Sequence, residues 1–219
     1  LLDDPVTTLD LGSLPASSGD TKTISFSSED VPDFRIEKVK LVPAFAAAWI
    51  ASDHKSLTLT LSSDAQWGLQ AGELVLGTNV AQEPIEKIDV KVNVLGTIRP
   101  SDNPYALGSL RTNNNNVITV PLTSMDGKPF KVGKISLDRI AGDVSVGKCV
   151  NDRPGCRLVT LKLSKNQPTG NLGSQMHIEL PDYNKTLTVG FWGILLKPDT
   201  KIIDLNKEQE ESEEGAKSK

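Results

Sequence analysis

Two cysteines, two histidines and a scatter of serines and carboxylates are the residues of this chain that could do chemistry. Cys149 and Cys156 frame the stretch CVNDRPGC. Their spacing fits neither a zinc ribbon nor a CxxC redox pair. Asp152-Arg153-Pro154-Gly155 reads as a tight turn, which would bring the two thiols face to face. A disulfide is the expectation, and it implies an oxidising compartment. Two reduced thiols in a surface loop are the alternative.

The histidines stand apart. His54 lies in the polar turn ASDHKS beside Asp53, but adjacent residues of an extended chain point to opposite faces. No third ligand lies nearby. His177 alternates with Met176 and Ile178, so it is expected to point away from a core. Ser13 and Ser109 each sit in an LGSL segment, which lacks the second glycine of a G-x-S-x-G elbow and is not followed by a helix. LGSL is also too short for a dinucleotide or phosphate fingerprint. Asp3-Asp4 and Glu29-Asp30 fall at a terminus or in a turn. SSED gathers hard oxygen donors without EF-hand spacing, and nothing marks the cleft that a glycosidase carboxylate pair needs. No catalytic residue, metal site or cofactor is expected, and the chain is read as a non-enzyme.

Contact residues are easier to nominate. Asn113, Asn114 and Asn115 belong to NNNN (Asn113–Asn116), read as a hairpin connection whose tip could touch a ligand. Asparagine also suits such turns because it tolerates positive φ. Trp67, in the turn DAQWGL, is the best single candidate for a partner contact. Its other reading is a cover over the end of a β-sandwich. Asn184-Lys185-Thr186 is a glycosylation sequon that matters only in a eukaryotic host.

The elements that would position these residues are strands. TKTISF (Thr21–Phe26), FRIEKVKL (Phe34–Leu41), SLTLTL (Ser56–Leu61), GELVL (Gly72–Leu76) and IDVKVNVLG (Ile88–Gly96) alternate apolar with polar residues, the period of half-buried strands. AFAAAWIA (Ala44–Ala51) reads as a buried strand or a helical turn. The whole order then recurs. Leu11-Gly12-Ser13-Leu14 maps onto Leu107-Gly108-Ser109-Leu110 at an offset of 96 residues. Phe34-Arg35-Ile36 falls on Phe130-Lys131-Val132 with the same offset. Leu59 and Leu61 match Leu161 and Leu163 at an offset of 102, and the six extra residues lie around the cysteine pair. Val92, Val94 and Gly96 face Val189, Phe191 and Gly193 at an offset of 97. Matched apolar positions with length changes confined to loops are what two copies of one β fold show. The expected class is therefore all-β, with two tandem immunoglobulin-like β-sandwich domains of about seven strands each. Residues 1–97 form the first repeat, 98–204 the second, and 205–219 a charged disordered tail. TIRPSDNP (Thr97–Pro104) reads as a short, semi-rigid linker, with the next domain's first strand from about Tyr105.

The early LGSL, the strand ending F-x-I/V-x-x-V/I, the GELVLGTN turn (Gly72–Asn79) and a last strand ending in glycine resemble Ig-like domains of the abnormal-spindle/Hydin (ASH) type. The chain is most similar to their bacterial relatives in the PapD-like group. The second repeat departs from that pattern, with ELPDYNK in place of the G-T-N turn. The resemblance implies an export-associated or surface binding module, with edge-strand pairing as its binding mode. It carries over no catalytic residue.

Size and charge agree with this reading. The chain has 219 residues, 37% hydrophobic and 24% charged, with a net charge of −4. Five Glu and three Lys between Lys207 and Lys219 account for half of that charge. No basic field would attract nucleic acid or anionic lipid, and no apolar run approaches the ~20 residues of a membrane span. The expected function is a non-catalytic binding or scaffolding module of an exported or cell-surface protein, with any signal or anchor upstream of Leu1. Its expected partner is a protein, met through loops or an edge strand. The alternative is a carbohydrate-binding accessory domain of a polysaccharide-active enzyme, with a surface polysaccharide as its partner. Oligomeric state is not legible.

Overall fold

In SLTLTL, Leu57 and Leu59 are buried while Thr58 and Thr60 face outward, as alternation requires. Val90, Val92 and Val94 are buried in the same way between outward Lys91 and Asn93. Each such aliphatic residue contributes about 1.5–3 kcal/mol when fully buried. Fifteen strands built on this pattern make up the computed structural model, which describes residues 8–16, 21–28, 31–82, 84–150 and 153–201.

The first sandwich contains β1 (Thr8–Pro15), β2 (Thr21–Ser25), β3 (Ile36–Val42), β4 (Ala46–Ile50), β5 (Ser56–Leu61), β6 (Trp67–Thr78) and β7 (Ile85–Leu95). One of its sheets runs β1-β7-β6-β3 and the other β2-β5-β4. The second sandwich contains β8 (Ile98–Pro100), β9 (Tyr105–Arg111), β10 (Val117–Ser124), β11 (Ile135–Leu137), β12 (Gly142–Lys148), β13 (Cys156–Leu163), β14 (Gly170–Leu180) and β15 (Lys185–Leu196). Its sheets run β9-β15-β14-β11 and β8-β10-β13-β12. The two orders correspond strand for strand, except that β8 has no described counterpart in the first. The architecture is all-β, two tandem immunoglobulin-like sandwiches.

Both LGSL segments do the same work. β1 runs parallel to β7, and its register slips by one residue between Asp10 and Ser13. β9 runs parallel to β15 with the same slip opposite Trp192 and Ile194. Gly12 (φ +71°) and Gly108 (φ +62°) lie in these bulges, in backbone that favours glycine. The Gly12 N–H is held by Asp10 Oδ1 at 2.8 Å.

Three expectations are corrected. Ile98 is fully buried and starts β8, which pairs with β10, so the linker segment already belongs to the second sandwich. Asn113–Asn116 joins β9 to β10, which lie in different sheets, and is a crossover between layers rather than a hairpin. The Ala44–Ala51 segment forms β4, an edge strand instead of a buried one, with Trp49 53% exposed. The Asp3-Asp4 and Glu29-Asp30 pairs and the charged tail lie outside the described residues.

Candidate functional site

Cys149 follows β12 and Cys156 opens β13. These strands pair antiparallel, with Lys148 opposite Arg157. The cysteines are bonded to one another with Cα atoms 5.7 Å apart, so the disulfide closes the tip of this hairpin. The Ser124 N–H donates to the Gly155 carbonyl at 2.7 Å, which ties the tip to the end of β10. Asp126 caps the neighbouring turn; the Ser124 hydroxyl, then the Lys128 N–H, hold its carboxyl below the usual carboxylate range. Reduction of the disulfide, which closes a short loop, is expected to cost about 2–3 kcal/mol by the chain-entropy relation. A lower urea midpoint in reductant would show it; identical midpoints would contradict it.

Asn113, Asn114 and Asn115 are exposed. The Asn114 N–H and Asn116 Nδ2 both donate to the Arg111 carbonyl, at 3.1 and 2.8 Å. The loop precedes β10, whereas the disulfide meets the far end of β10. The two features therefore occupy opposite ends of the second sandwich.

Trp67 is not in an exposed turn. It begins β6 and is 6% exposed, wedged where the two sandwiches meet. Its ring lies 5.1 Å from that of Tyr183. Its other side covers Gly96 so closely that a Cβ there would fall 2.0 Å from Cδ2. The contact-anchor expectation for Trp67 is overturned by this burial: the indole is consumed within the molecule.

The junction around it is densely bonded. Gly68, at φ +78°, pairs with Thr188, and Trp67 pairs with Leu187, joining the large sheets of both sandwiches into one. The Asn103 side chain donates to the Thr188 carbonyl at 3.0 Å and to Asn93 Oδ1 at 3.2 Å, and accepts from the Gly190 N–H at 2.9 Å. Lys185 Nζ donates to the carbonyls of Ser63 and Ala65. A shallow cleft of about 170 Å³ lies alongside, lined in part by Asn93, Arg99, Ser101 and Asp102.

His177 has two partners that sequence spacing did not reveal. Its Nε2 lies 3.0 Å from Asp138 Oδ2 and its Nδ1 lies 3.1 Å from Thr188 Oγ1. Acid, imidazole and hydroxyl thus stand in the order of a nucleophilic triad. Thr188, however, is only 5% exposed and lies beneath the Gly68 contact, so a substrate carbonyl has no approach to it. The three side chains tie β14 and β15 to the residue that follows β11. His54 Nδ1 lies 3.3 Å from the Ile36 carbonyl. Among the described residues no group of three or more His, Cys, Asp or Glu is placed to hold a metal. No described helix is long and apolar enough to cross a membrane.

One surface differs from the rest. Among the described residues β4 pairs only with β5. The Ala51 N–H donates to the Ser56 carbonyl and the Ser62 N–H to the Phe45 carbonyl, so the odd-numbered residues of β4 form its hydrogen-bonded pairs. The ladder alternates, which turns the N–H and C=O of Ala46, Ala48 and Ile50 toward the open edge. β4 is AAAWI, with no charge, proline or bulge. Each other edge strand carries one of the usual deterrents to pairing. Lys22 sits on β2, Glu37, Lys38 and Lys40 on β3, and Asp143 and Lys148 on β12. β1 and β9 are bulged, and β8 and β11 span three residues each. The turn leading from β4 into β5 is pinned by Asp53. The Lys55 N–H, then the Ser56 hydroxyl, hold its carboxyl below the usual carboxylate range.

No protein-family model matches the chain, and no curated protein sequence does. Among solved structures, it is similar to a protein of unknown function from Porphyromonas gingivalis W83, 11% identical over 83% of this chain and 94% of that one, with a TM-score of 0.36. It is also similar to domains 4 and 5 of the S-layer protein SbsC, 14% identical over 78% of this chain and 81% of that one, with a TM-score of 0.29. A third is the EC1-3 segment of Drosophila N-cadherin, 11% identical over 84% of this chain and 63% of that one, with a TM-score of 0.31.

Proposed function

We propose that this chain is a non-catalytic binding or scaffolding module of an exported or cell-surface protein, and that it holds a protein partner by accepting an extended segment beside β4. The open, uncharged β4 edge carries this reading. A row of unpaired N–H and C=O groups is a template for a further strand, and elsewhere in the molecule such edges are blunted. The disulfide supports an oxidising compartment. The likeness to ASH-type and PapD-like domains supports edge pairing as the mode. We take residues 1–97 and 98–204 as the two domains, held in fixed relation by the junction, and residues 205–219 as a charged tail. Asn113, Asn114 and Asn115 offer a second contact at the far end.

Ala48→Pro tests the reading. Proline there removes an N–H that points off the sheet and leaves the β4–β5 ladder intact. Partner recovery from the native source is expected to fall about tenfold or more, a loss of roughly 1.4 kcal/mol, with an unchanged circular dichroism spectrum. Undiminished recovery would sink the reading.

One observation favours a carbohydrate ligand as a second reading. The outward strand positions of the β2-β5-β4 sheet present Thr21, Thr23, Ser25, Thr58, Thr60, Ala47 and the exposed Trp49, none of them charged, with the Asp53 carboxylate at the margin beside Ser56. An indole set among hydroxyls suits a neutral sugar ring. Retention on neutral polysaccharide that is lost in Trp49→Ala, but kept in Ala48→Pro, would favour it.

A further inference from the structure

We infer that the strand which fits the β4 edge is β4 of a second copy, so that the chain self-associates about a two-fold axis midway between the two copies of Ala48. This rests on the reading that β4 is the binding edge, and names its partner.

The β4 edge matches its own image in parity and in side-chain size. The groups facing the open edge belong to Ala46, Ala48 and Ile50. In an antiparallel pair centred on Ala48, Ala48 meets Ala48 of the second copy, Ala46 meets Ile50, and Ile50 meets Ala46. Every one of these is a hydrogen-bonded pair, each exchanging two N–H to C=O bonds. No N–H or C=O on the edge is left over, and no register slip is required. The side chains agree with the backbone. On the outward face, Ala47 comes opposite Trp49 in a non-hydrogen-bonded pair, where side chains approach most closely. The large ring of each copy therefore lies over the small residue of the other. On the inward face, Ile50 faces Ala46, again large against small. β4 has no charge to repel its own image. An isologous interface needs such self-complementarity. The seam is small, at the weak end of specific interfaces, so association is concentration-dependent.

Sedimentation equilibrium on the whole chain reads it directly. A monomer–dimer equilibrium below about 1 mM is expected, with Trp49 emission shifting to the blue as dimer forms. Ala48→Pro is expected to weaken it tenfold or more. Ala48→Cys is expected to form a disulfide-linked dimer under mild oxidation, because directly opposite Cα atoms of such a pair lie about 5.5 Å apart. Ala47→Cys is not expected to do so, since the two copies of residue 47 stand two positions apart along the seam. A monomer throughout the range overturns the proposal, as does a dimer that survives Ala48→Pro or cross-links equally through position 47. If the chain stays monomeric while Ala48→Pro still abolishes partner recovery, self-pairing falls and the binding reading stands. If Ala48→Pro changes neither, both fall.

Discussion

Trp67→Ala is expected to destabilise the protein by about 3–5 kcal/mol, the range for truncating a buried large aromatic. The indole is nearly inaccessible and closes the seam between the sandwiches. On one side it meets Tyr183, which sits in the 3-10 turn Pro181–Tyr183 leading into β15. On the other it covers Gly96, in the short passage from β7 to β8. Alanine would leave a cavity bounded by both sandwiches, and neither can relax into it without moving the other. For a chain of this size the loss corresponds to a fall in melting temperature of roughly 10 °C. Calorimetry checks it. A midpoint within about 2 °C of wild type would mean that the seam contributes little.

Gly68→Ala should act on the same seam from the backbone side. A Cβ at residue 68 would lie 2.0 Å from the Thr188 carbonyl oxygen, and the residue sits at φ +78°. Neither atom is the end of a flexible side chain, so the strands must part. Overpacking of this kind costs about 1–3 kcal/mol, and the strained backbone adds about 1 kcal/mol more. The expected result is undocking of the sandwiches with each one still folded: a larger radius of gyration, faster amide exchange near Trp67 and Thr188, and retained β circular dichroism. An unchanged radius of gyration would contradict it. Because both variants release the same docking energy, the double variant Trp67→Ala/Gly68→Ala should lose less than the sum of the two. Strict additivity would mean that indole and backbone contacts are independent.

Much of the fold was legible because alternation is local. A Leu or Val at every second position makes a strand wherever it sits, so SLTLTL read correctly without knowledge of its neighbours. The duplication was legible for the same reason, since matched patterns survive changes in loop length. LGSL could be assigned to a backbone role, because a lone glycine in a strand marks a bulge. The disulfide followed from a turn between two cysteines.

Tertiary structure decided what depends on residues far apart in the chain. Trp67 looks like a turn residue until Tyr183, 116 positions later, lies against it. His177 gains Asp138 and Thr188 only when β11, β14 and β15 come side by side. Nothing in AFAAAWIA says whether its neighbours leave it covered or open. The strand order puts it at an edge, with a tryptophan in water. A strand's existence depends on its own residues and is written in them. Its place in the sheet depends on which other strands win the competition to pair with it, and that contest is settled by contacts across the whole chain.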